Sequence, residues 1–306
     1  MAEEEVASAY AAAPEDGHQL LVTEEDGEED LARWAERGLA RGDKLLVAAD
    51  ERHPDGAALV ETLTRHGLAA AGAARDGRIE VVAAARFYNA EGYEQLVEQS
   101  LRDGHGGVRS FGGPHIAAGV LDPAGFAEFE RLLGRLWASR GASALCCYPG
   151  VRDETLDEAI RRHRSGWRHR LLHLHDRGHG RLDVHGEIDS SNDELFAALL
   201  AAATHRVSTG TDTEPLPGKR RVHEPESDPS GTEVHGRRRL LVLDCTGLTF
   251  SSVSGWRATV AGTEAFRAGG GRVALTGLHP LAVRLLHMTG FAAAFDLPET
   301  GGGNRR

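Results

Sequence analysis

Between His18 and Gly150 the chain alternates short apolar runs with longer stretches of helical spacing. "HQLLVT", "DKLLVAAD", "GRIEVVAA", "GGVRSFGG" and "SALCCYPG" read as buried strands, because each is nearly continuous in apolar side chains and bounded by turn residues. In "EEDLARWAERGLARG" the spacing sets Leu31, Trp34, Ala35 and Leu39 on one helical face, and Gly42 is the stop signal. Ala57 to His66 predicts a helix closed by Gly67. Phe126, Phe129, Leu132, Leu133, Leu136 and Trp137 predict another, and "ETLDEAIRRHRSG" a third. Such β-α alternation predicts an α/β fold with a largely parallel sheet and helices on both faces.

The pattern breaks around residues 164–168. "RHRLLHLHDRGHGRLDVHGEID" then alternates with period two on either side of a glycine turn, the signature of a hairpin. "SSNDELFAALLAAATHR" follows as a helix and "RRRLLVLDCTGLTF" as a buried strand. The remainder reads as helix "SGWRATVAGTEAFRAGGG", strand "RVALTGL", helix "PLAVRLLHMTG" with proline in its first turn, and a short last element "FAAAFDL". A smaller α/β module with a mixed sheet is expected. Residues 207–236 are almost free of large apolar side chains and read as a disordered insertion, as do the tails 1–16 and 299–306.

Charge adds little to the interior but marks the start of the chain. The net charge is -11, yet residues 1–30 carry eleven acidic side chains and no Lys or Arg. Removing them leaves 35 acids against 35 bases. An acidic arm on a neutral body argues against general binding to nucleic acid or to anionic membranes. Three cysteines cannot build a disulfide framework and suggest a reducing compartment. With no signal-like start and no apolar run near the roughly 20 residues of a membrane span, a cytoplasmic protein is expected.

The second module resembles the STAS domain, the fold of bacterial anti-sigma-factor antagonists. The resemblance is carried by "RLDVHGEIDSSNDELFAALL", "LLVLDCTGLTFSSVSGW" and "GGGRVALTGLHPLAVRLLHMTGF", over roughly residues 169–298. The first module, residues 17–166, resembles the MEDS sensory domain. That likeness rests on His18, "GLARGDKLLVAAD", "FYNAEGY", "GGVRSFGG", "FAEFERLL", and "ALCCYPG" followed by "IRRHRSG". It departs from the usual residues of that family at Gly113, Pro149 and Arg164.

In STAS antagonists the loop between strand and helix reads about Asp-Ser-Ser-Gly or Asp-Ser-Thr-Gly, and the first hydroxyl of the pair is phosphorylated by a kinase. Here Ser252, Val253, Ser254 and Gly255 align with it, so a valine stands at the usual phosphorylated position. A hydroxyl at a helix N-terminus faces unpaired backbone N–H groups, and a phosphate there would change how the loop docks. Ser252 and Ser254 are therefore both candidate phosphosites and candidate helix caps. The resemblance implies that the loop Ser251, Ser252, Val253, Ser254, Gly255 and Trp256 binds an anti-sigma factor or a related serine-kinase-type regulator. A ligand sensor or scaffold whose STAS module only mediates assembly is the alternative, and Val253 favours it.

In the first module His18, Tyr88, Arg109, Cys147, Tyr148 and His163 are expected to line a sensory pocket for a small molecule. Several of them lie at or near strand ends, where open α/β sheets bind ligands. His173 and His175, with His169, His179 and His185 nearby, invite a metal reading but lack completing partners. They are taken as residues of an arginine-rich surface hairpin, and neither metal nor cofactor is expected. No Gly-x-x-x-x-Gly-Lys loop, helix-turn-helix or Gly-x-Ser-x-Gly elbow is present, and an ATPase, a DNA binder and a serine hydrolase are disfavoured. A cysteine enzyme built on Cys146 or Cys147 would betray itself by unusually fast alkylation.

Overall fold

The computed structural model describes residues 17–23, 27–150, 154–163, 165–210 and 239–297. The chain divides into two compact units between Arg170 and Leu171. The proposed tail 1–16, most of the insertion and the tail 299–306 lie outside the described residues.

In the N-terminal unit the strands are β1 (His18–Thr23), β2 (Lys44–Ala48), β3 (Ile79–Val82), β4 (Val108–Gly112), β5 (Ser143–Pro149) and β6 (Gly166–His169). The helices are α1 (Glu28–Ala40), α2 (Gly56–Arg65), α3 (Ala70–Arg75), α4 (Ala84–Phe87), α5 (Ala90–Arg102), α6 (Pro114–Ala117), α7 (Pro123–Arg140) and α8 (Glu154–Arg162). The strands lie in the order β6-β1-β5-β4-β2-β3, and every adjacent pair is parallel. Helix starts follow local chemistry: Asp55 caps α2, Asn89 caps α5, and Asp122 caps α7 ahead of a proline at its first turn.

Register sorts the side chains of this sheet. Leu20, Cys146, Val22 and Tyr148 share one face, since β1 pairs Leu20 with Cys146 and Val22 with Tyr148. Leu21, Leu145 and Cys147 share the other, where they join Trp34, Leu31, Leu45, Val47, Leu59 and Phe111 in an apolar core beneath α1 to α3. Helices α3 to α6 and strand β6 escaped the sequence reading, and β6 overlaps the stretch read as a module break. It is only four residues long, too short to show a period.

The C-terminal unit contains β7 (Leu172–Gly178), β8 (Arg181–Ile188), α9 (Asp193–Thr209), β9 (Leu240–Ser251), α10 (Val253–Gly262), α11 (Glu264–Ala268), β10 (Arg272–Thr276) and α12 (Pro280–Thr289). Its strands run β10-β9-β8-β7, with β7/β8 antiparallel and the other two pairings parallel, a mixed sheet. Residues 207–209 of the stretch read as insertion continue α9. Three of the hairpin histidines are not surface residues: His173, His175 and His185 are buried, whereas His179 at the turn is exposed and His169 half-buried. Strand β8 is an inner strand flanked by β7 and β9, so both of its edges are paired and the two strands are not a free hairpin. No helix among the described residues is long and apolar enough to cross a membrane.

Candidate functional site

Four ligand-type side chains from four elements meet on the Cys146 face of the N-terminal sheet. His18 opens β1, Cys146 sits mid-β5, Glu130 projects from α7, and His163 follows the last turn of α8. All four are buried, and their donor atoms lie within 4.8 Å of one another. His18 Nε2 is 3.3 Å from Cys146 Sγ, and the His18 and His163 ring centroids are 4.1 Å apart. His163 Nδ1 donates to the Ala159 carbonyl at 2.8 Å, which leaves Nε2 facing Glu130 Oε1 at 3.7 Å. The Tyr148 hydroxyl donates to Glu130 Oε1, and Arg162 Nη1 stands 3.4 Å from Oε2.

Burial governs the protonation of this group. Desolvation, then the neighbouring His163, holds His18 well below the usual imidazole range. Desolvation also lowers His163, against the pull of Glu130. Burial, followed by Glu130 and Cys147, pushes the Cys146 thiol well up. Burial and the Glu130 charge raise Tyr148. A small cavity lined by Phe87, Tyr88, Phe126, Phe129 and Cys146 adjoins the cluster, with room for about one water molecule.

The second place of interest is the β9–α10 junction. Ser252 is the N-cap of α10: its Oγ accepts from Gly255 N–H at 3.1 Å and lies 2.9 Å from Ser254 Oγ. Gly255 permits close packing, because a Cβ there would stand 2.7 Å from Ser251 Oγ and 2.8 Å from Ile188 Cγ2. Val253 and Phe250 are exposed, at 42% and 52%. Trp256 is buried, so the accessible part of the junction runs from Phe250 to Ser254.

The model described as "MEDS: MEthanogen/methylotroph, DcmR Sensory domain" matches residues 18–164, and the model for the STAS domain matches residues 174–300. The chain joins a MEDS domain to a STAS domain. Among solved structures, one similar chain is "Structure of the Anti-Sigma Factor Antagonist SpoIIAA in its Unphosphorylated Form". It is 14% identical, covering 38% of this chain and 82% of that one, with a TM-score of 0.25. No curated protein matches.

The buried cluster is thus a feature of the MEDS domain, and the capped serine loop a feature of the STAS domain. Of the six residues expected in a sensory pocket, the MEDS domain brings His18, Tyr148 and His163 together. Tyr88 lies beside them, its hydroxyl donating to the Gly113 carbonyl at 3.0 Å and accepting from Gly113 N–H at 2.9 Å. Arg109 and Cys147 are placed on the opposite face. There Arg109 Nε donates to Asp43 Oδ2 at 2.9 Å, and its guanidinium lies 4.9 Å from the centre of the Trp34 ring. Gly38 leaves the space that Arg109 fills, since a Cβ there would meet Arg109 Cδ at 2.1 Å.

Sequence reasoning missed Glu130 and chose Cys147 over its neighbour Cys146. A signal for Cys146 existed. His18, Leu20 and Val22 alternate along β1, so once β1 lies beside β5 the cysteine on the His18 face is Cys146. Glu130 offered a weaker one, an acid within the apolar face of the helix "FAEFERLL".

Proposed function

We propose that the chain is a signal-transduction protein in which the MEDS domain receives an input and the STAS domain delivers it by docking a protein partner. A sensory domain joined to a STAS domain supports a signalling role. The observation that carries the docking surface is the pair of exposed apolar side chains, Phe250 and Val253, beside the capped start of α10. Large apolar side chains are costly to leave in water and are natural anchors for a partner. The partner we propose is an anti-sigma factor or a related serine-kinase-type regulator, through which the protein would act on transcription in the cytoplasm. The input we propose is a small molecule held in the MEDS domain.

No catalytic role is proposed. Cys146 is buried with its thiol pushed up, and Cys245 is pushed up to about 12 by burial, which is the setting of inert core cysteines. Titration calorimetry of the full chain against purified anti-sigma-factor kinases of its own cell tests the reading. Binding that is lost in Phe250→Asp and Val253→Asp supports it, whereas no binding to any of them defeats it.

A second reading keeps the docking but removes phospho-control. It is favoured by Val253, which has no hydroxyl, and by the Ser252 hydroxyl already serving as a cap. Mass-spectrometric mapping of residues 251–254 from cells separates the two. Phosphate on Ser252 or Ser254 supports the switch, and unmodified serines with intact partner binding support the scaffold.

A further inference from the structure

We infer that His18, Glu130, Cys146 and His163 form a buried tetrahedral site for a zinc-type divalent metal ion inside the MEDS domain. The geometry fits before any ion is present. Bond lengths of roughly 2.0–2.3 Å to nitrogen, oxygen and sulfur give tetrahedral edges of about 3.6 Å between N and S and about 3.4 Å between N and O. The corresponding separations are 3.3 Å for His18 Nε2 to Cys146 Sγ and 3.7 Å for His163 Nε2 to Glu130 Oε1. All four donor atoms lie within 4.8 Å, so the site closes around an ion with small side-chain shifts.

The surrounding contacts orient the donors in the manner of a metal site. His163 Nδ1–H is committed to the Ala159 carbonyl, which aims the Nε2 lone pair inward, and that buried atom has no hydrogen-bond partner among the described residues. The Tyr148 hydroxyl and Arg162 hold the Glu130 carboxylate. Charge closes as well. One thiolate and one carboxylate cancel a divalent ion, so the filled site is formally neutral where all four ligands are buried. Two imidazoles, a thiolate and a carboxylate suit zinc among the common ions and are poorly matched to calcium or magnesium. Because the ligands are enclosed, the ion would enter as the domain folds and exchange slowly. The inference is independent of what the STAS loop binds.

The test is elemental analysis of the full chain as purified, together with the absorption spectrum of chain produced in cobalt-supplemented medium. One transition-metal ion per chain is expected, with a thiolate-to-cobalt charge-transfer band in the near ultraviolet. The band should persist in Cys147→Ala and Cys245→Ala and vanish in Cys146→Ser. Tyr148→Phe keeps all four ligands and should weaken the metal about 10–100-fold in chelator competition. A folded wild-type chain with no more transition metal than a control protein overturns the inference, as does a band that vanishes in either of the other cysteine variants. Should Cys146→Ser not fold, the wild-type metal content and the Cys147→Ala and Cys245→Ala spectra decide it.

Discussion

The MEDS cluster and the STAS loop each gather polar side chains, and they differ in what surrounds them. In the first, four ionisable groups lie in the interior, none of them more than 5% exposed. In the second, three serines are half-buried beside the exposed Phe250 and Val253. Interior polar groups must satisfy one another or hold something small, since each unpaired group costs about 1–3 kcal/mol. Exposed apolar groups gain only when another surface covers them. The contrast fits the proposed division of labour, in which the MEDS domain receives inside and the STAS domain delivers on its surface.

The largest effect expected comes from separating support from reception within the MEDS domain. Arg109→Ala removes the buried one of the two arginines paired with Asp43, leaving only the half-exposed Arg41, and opens a cavity under Gly38 and Trp34. Loss of about 3–5 kcal/mol is expected in denaturant unfolding of that domain. If Arg109→Ala left stability unchanged and altered only a ligand response, Arg109 would belong to reception after all.

On the STAS side, Gly255→Ala should cost about 1–3 kcal/mol, because the new Cβ meets Ser251 and Ile188. Ser252→Ala removes the cap of α10 and should cost about 1 kcal/mol. Ser254→Ala should cost less, since its hydroxyl caps no backbone N–H. Equal losses at the two serines would mean that Ser252 is not the main cap.

Acid should weaken the STAS domain through His185. Burial lowers its folded-state value below the ordinary 6.5, chiefly by desolvation and against the pull of Asp183. The unfolded chain therefore takes up the proton first. Stability is unaffected well above pH 6.5 and falls as the pH drops from there toward the folded-state value. His185→Gln should flatten that slope in thermal melts taken across the window. The smallest stability effect belongs to Val253→Asp, expected within about 0.5 kcal/mol while partner binding is lost. A large stability loss there would show Val253 to be packing rather than docking surface.

Much of the fold was legible from residues 18–163 and 170–297 because buried strands and amphipathic helices write their periods into the chain. The parallel sheet of the MEDS domain and the mixed sheet of the STAS domain both follow from that. The loop at Ser251–Trp256 was legible too, since strand, hydroxyls and glycine are contiguous. The cluster around Cys146 is only half legible: the sequence groups His18, Tyr148 and His163, but with Arg109 and Cys147, which the register places on the other face.

What the sequence determined by itself is local: which segments are strands or helices, where the α10 cap lies, and that a valine stands where a phosphorylatable hydroxyl is usual. Only the tertiary structure decided which of two adjacent cysteines faces His18, that Glu130 points inward, and that His173, His175 and His185 are buried. The physical reason is that periodicity gives each side chain a face relative to its own element. Strand order and register, which join residues more than a hundred positions apart, determine what that face meets.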